Sequence, residues 1–146
     1  MELKFRVLIG CCVAIMAALL VVGAVSHGVI RHIVQTSPLW ISIALGIRGS
    51  GWVKWTALPC FVFWLLMMVV IWLFLLGWTH IVSGSFSSTE IAMTGVIGLA
   101  SILGIIEALR VRRSGGALAA SATFLIVAVL QLAAIRLSLL QAIAHH

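Results

Sequence analysis

The residues of this chain best suited to chemistry are His27, Arg31 and His32, two imidazoles and a fixed cation within six positions of one another. Such a trio can shuttle protons or hold an anionic group, and beside a membrane it would act on a lipid or a quinone. A second set is spread more widely: Glu107, Gln131 and Arg136 are polar residues inside apolar runs, the kind of group that lines an ion path or bonds one helix to another. Cys11, Cys12 and Cys60 complete the reactive inventory, with no C-x-x-C pair among them.

Motifs for other chemistries are missing. The chain contains no G-x-S-x-G, no H-E-x-x-H and no phosphate-cradling glycine loop, and its three acidic residues are all glutamates, which argues against a divalent-metal or phosphotransfer centre. No catalytic residue, metal ligand or cofactor is assigned from the sequence. His27 and His32 are five residues apart, about 140° beyond a full turn on a helix, so they do not share a face to clamp a haem.

The elements that must position these groups are set by composition. Hydrophobic residues make up 64% of the chain and charged ones 8%, far below the quarter that a water-facing surface carries. Pro59–Trp78 is twenty residues without a charge, about 30 Å as a helix, the thickness of a bilayer core. The pattern predicts an all-α polytopic membrane protein forming one transmembrane domain, with four spans at about 7–30, 56–78, 89–109 and 117–140. The first apolar run follows Lys4 and Arg6 in the manner of a signal peptide, yet it is long enough to be read as a span.

Residues 26–55 are expected to be too polar to cross. Ser37-Pro38 reads as an N-cap followed by proline at the first helical position, so a short interfacial or re-entrant helix is predicted at about 37–47, between spans one and two. Gly10, Ala14 and Ala18 recur every four residues, and Gly98 and Gly104 lie on the third span; all five are expected at close helix contacts. Ser87-Ser88-Thr89-Glu90 fits a capping box and Glu107 an ion pair with Arg110.

Four crossings would put both termini on one side. The basic residues of the 27–55 connection and of the Arg110–Arg113 turn then place that side outside the cytoplasm. In the same scheme Cys60 falls in the leaflet opposite Cys11 and Cys12, and His80 opposite His27 and His32, which excludes a thiol relay or a bis-histidine haem within one chain. The net charge of +6 sits at the ends of apolar runs and so points to lipid headgroups, with no nucleic-acid partner. Function is expected to be helix association, as an accessory subunit or assembly partner of a larger inner-membrane complex. Two alternatives are a homo-oligomeric transporter or channel, suited to anions, and an interfacial enzyme acting on lipid or quinone. Expected partners are membrane lipids and other membrane subunits or further copies of the chain.

Overall fold

Hydrocarbon offers no hydrogen-bond partners, so each long apolar run must satisfy its backbone internally, and helices result. The computed structural model describes residues 2–79, 85–112 and 115–140, and among them all regular structure is helical. Five helices follow in order: α1 Leu3–Val25, α2 Val29–Ile47, α3 Val53–Leu75, α4 Ser88–Arg110 and α5 Ala117–Ser138. Four of them, α1, α3, α4 and α5, are long and apolar enough to cross a membrane.

The helix α2 corrects the sequence expectation. Instead of a short interfacial piece beginning at Pro38, it is one helix of 19 residues, about 28 Å long, that runs through Pro38. Proline removes the N–H that would bond the Val34 carbonyl. The hydroxyl of Ser37 donates to that carbonyl at 2.8 Å, which repairs the ladder where a break was expected. Ser37 is therefore a patch inside the helix, not its cap.

Polarity misled for a second reason. The buried residues of α2 are His32, Gln35, Thr36, Pro38, Leu39, Ser42 and Gly46, mostly a stripe at helical spacing, whereas Ile30, Ile33, Trp40, Ile41 and Ile47 face outward. The helix is inside-out, polar on its buried face and largely apolar on its exposed one. Its polar atoms find partners there: Ser42 Oγ donates to Thr56 Oγ1 on α3 at 3.2 Å, and Gln35 Nε2 donates to Ser138 Oγ on α5 at 3.0 Å.

Side-chain contacts fix the direction of each helix. A Cβ on Gly46 would lie 2.8 Å from Ile9, and one on Gly23 would lie 2.9 Å from His32, so α2 returns antiparallel along the length of α1. Ser42 beside Thr56 turns α3 back again, Gly104 against Phe61 turns α4, and Gly115 against the Trp52 ring starts α5 beside the start of α3. At Gly115 φ is +82°, a turn that glycine enters at no steric cost. The result is an up–down ring, α1–α4–α3–α5–α2, closed by α2 on α1 and crossed by an α2–α3 contact.

With five elements alternating, Leu3 and Ser138 lie at opposite ends of the bundle, not at one end as four crossings require. The same extra element makes α1 and α3 parallel. Cys12, ten residues into α1, and Cys60, eight residues into α3, therefore lie in the same half of the bundle and not in opposite ones. All three cysteines are buried and free.

Candidate functional site

Where the start of α2 meets α1, α3, α4 and α5, the bundle leaves a cavity of about 400 Å³. Arg31, His32, Gln35, Trp64, Glu90 and Thr94 supply its polar wall, and Leu19, Met68 and Ile97 are among the apolar residues around them. Each polar side chain is delivered by a local feature. Arg31 is the third residue of α2 and so stands at the mouth. Glu90 is held at the start of α4 by a capping box: the Ser87 N–H donates to Glu90 Oε2 at 2.7 Å, and the Glu90 N–H donates to Ser87 Oγ at 3.2 Å. The His32 ring lies over Gly23 of α1, where any side chain would collide with it.

Deeper in, the backbone of Gln35 is tied to α5. Gln131 Nε2 donates to the Gln35 carbonyl at 3.2 Å, and Ser138, which accepts from the Gln35 amide, donates to the Ile135 carbonyl at 2.7 Å. Trp64 is held edge-on against Phe63, with ring centroids 5.4 Å apart. This frame leaves polar atoms unused. Among the described residues Arg31 Nε, His32 Nδ1 and Trp64 Nε1 are buried without a hydrogen-bond partner. No ion pair joins Arg31 to Glu90 there either. Desolvated groups of this kind are costly unless something completes them.

The structure sorts the sequence candidates. Arg31 and His32 come together in the cavity, whereas His27 sits outside it in the α1–α2 reversal, exposed and with φ +55°. Gln131 is fully buried and serves the α2–α5 contact. Glu107 pairs with Arg110 at 2.7 Å at the far end of α4, and Arg136 is exposed at the end of α5, so these two stand at opposite ends of the bundle, and neither is among the residues lining the cavity. Of the small residues, Gly104 lies under the Phe61 ring, Gly98 meets Met68 Cβ at 3.9 Å, Ala18 is buried, Ala14 is half-buried, and Gly10 is exposed with nothing within 4 Å of its Cβ position. His80, Arg113, His145 and His146 lie outside the described residues. No cluster of three metal-ligating side chains occurs among the described residues.

Gln35, Trp64 and Glu90 were not singled out as site residues from the sequence. The signal that could have found Gln35 is the spacing of His32, Gln35, Leu39, Ser42 and Gly46, which puts polar groups on one face of a single helix. No protein-family model, curated protein or solved structure matches this chain.

Proposed function

We propose that the chain is a multi-pass protein of the inner membrane that binds a membrane-soluble amphipathic molecule in the cavity at the start of α2. The observation that carries this is the set of unpartnered polar atoms on Arg31, His32 and Trp64 in a cavity whose remaining wall is largely apolar. An amphipathic ligand is the type of molecule that completes both kinds of surface at once.

We further propose that it works as an accessory subunit of a larger membrane assembly. The start of α5 supports this: Ala117 and Ser121, four residues apart on one face, are both exposed, a small-residue pair of the kind through which membrane helices approach one another closely. Homo-oligomerisation would use the same face.

All five helices cross in this reading, with the N-terminus in the cytoplasm. Lys4, Arg6, Arg48, Lys54, Arg110 and Arg112 gather at the end that holds the start of α1, against Arg31 and Arg136 at the other. That asymmetry favours the first end as cytoplasmic, opposite to the orientation expected from four crossings. Native mass spectrometry of the protein released in mild detergent from its own membrane tests the proposal. A bound small molecule retained by the wild type and lost on filling the cavity with Leu19→Trp is the expected result. A chain carrying neither ligand nor partner would refute it.

A further inference from the structure

We infer that the cavity takes the head and glycerol region of a zwitterionic phospholipid, the phosphate toward Arg31 and a primary ammonium toward Glu90; this rests on the ligand-binding reading above. Arg31 lies in the first turn of α2 and Glu90 in the first turn of α4, and both helices begin at the same end of the bundle. The two opposite charges therefore stand at one level, within a turn of the helix ends, which is the depth of lipid headgroups in a bilayer.

Both line the cavity, and no ion pair among the described residues neutralises one with the other. A ligand carrying one charge would satisfy one wall and meet the other as a repulsion. An anionic lipid would bring its phosphate to Arg31 and leave Glu90 facing added negative charge. A neutral quinone would leave both charges without a counterion. A headgroup with a phosphate and an ammonium a few bonds apart compensates both, and the primary ammonium can donate to the Glu90 carboxylate.

The rest of the wall offers what the remainder of a phospholipid needs. Trp64 Nε1 is a buried donor without a partner, as a glycerol ester carbonyl requires, and His32 Nδ1 is a second polar atom left unpaired. Leu19, Met68 and Ile97 are apolar and match the first methylenes of the acyl chains. A cavity of about 400 Å³ holds the head and backbone only, so the chains must leave it toward bulk lipid past residues such as the exposed Leu139. In the orientation proposed above, this lipid comes from the non-cytoplasmic leaflet.

The test is a titration of delipidated full-length protein in a neutral maltoside micelle, read by native mass spectrometry as adducts per chain. The three probes are a palmitoyl-oleoyl phosphatidylethanolamine, the phosphatidylglycerol of the same chains and decylubiquinone. The ethanolamine lipid should saturate at one per chain and outcompete both others. Arg31→Gln and Glu90→Gln should each weaken it roughly ten- to a hundredfold, the value of one charge-assisted hydrogen bond, with the helical melting curve unchanged. Should either variant fail to fold, the order of the three probes on the wild type decides alone. Equal or tighter binding of phosphatidylglycerol or the quinone, or unaltered ethanolamine-lipid binding in both folded variants, would overturn the headgroup assignment while leaving a ligand cavity standing. Saturable binding of none of the three would overturn the cavity reading as well.

Discussion

Gly104 offers the sharpest check on the packing. A Cβ added there would lie 2.5 to 2.7 Å from three carbons of the Phe61 ring, and ordinary contact begins at 3.4 Å. The ring, fully buried on α3, would have to retreat by about 0.9 Å into neighbours already at van der Waals contact. Overpacking of this kind costs about 1–3 kcal/mol, while replacing glycine by alanine inside a helix returns at most about 1 kcal/mol. Gly104→Ala should therefore lose up to about 2 kcal/mol, and Gly104→Val more, because β-branching adds carbons at the same crowded point. Gly98, whose nearest neighbour across the helix contact is 3.9 Å away, is the control: Gly98→Ala should be neutral or stabilising. The assay is reversible unfolding in mixed micelles followed by circular dichroism, with Phe61→Leu added to Gly104→Ala as the second corner of a cycle. A Gly104→Val protein as stable as the wild type, or a Gly104→Ala loss that Phe61→Leu does not relieve, would refute the placement of α4 against α3.

Three further outcomes follow from contacts inside the bundle. Ser37→Ala should cost about 1 kcal/mol, since the Val34 carbonyl loses the hydroxyl that stands in for the missing proline N–H, and Ser37→Ala with Pro38→Ala should recover it by restoring a backbone N–H; the same unfolding assay reads both. Gln131→Leu should change stability by less than about 1 kcal/mol, because it removes one bond to Gln35 together with a carbonyl oxygen that has no partner among the described residues. Cys11, Cys12 and Cys60 should resist maleimide labelling in mild detergent and react fully once the protein is unfolded in dodecyl sulfate, with mass spectrometry counting the adducts; rapid labelling of Cys12 or Cys60 in the folded state would contradict their burial.

The four apolar helices were legible because lipid selects on average hydropathy, which a run such as Pro59–Trp78 announces by itself. The start of α4 was legible for a local reason, since a capping box needs only Ser87 and Glu90 three residues apart. The helix α2 was hidden because an average cannot see that His32, Gln35, Ser42 and Gly46 fall on one face, where α5 bonds Gln35 and α3 bonds Ser42 through residues set apart in sequence. That omission propagated. One unexpected full-length helix reverses the direction of everything after it, which is why Cys60 and Ser138 lie in the other half of the bundle from the one expected. Among the small residues, nothing in the sequence separates Gly104, pressed under a ring, from Gly10, whose Cβ position faces open space, because the difference lies in where Phe61 sits. The cavity shows the same limit: Arg31 and His32 stood out as neighbours in sequence, whereas Trp64 and Glu90 join them only once five helices are in place.

The inside-out character of α2 also imposes an order on biogenesis. In the five-crossing reading proposed above, a segment carrying His32, Gln35 and Ser42 on one face gains little by entering hydrocarbon alone, so it is carried in against α1, from which three residues separate it. Its side-chain and backbone partners on α5, Ser138 and Gln131, emerge from the ribosome some hundred residues later. A nascent chain released after Arg112 would then expose an uncapped polar seam to quality-control proteases, and its lifetime in cells, compared with that of the chain carrying α5, measures how much α5 seals.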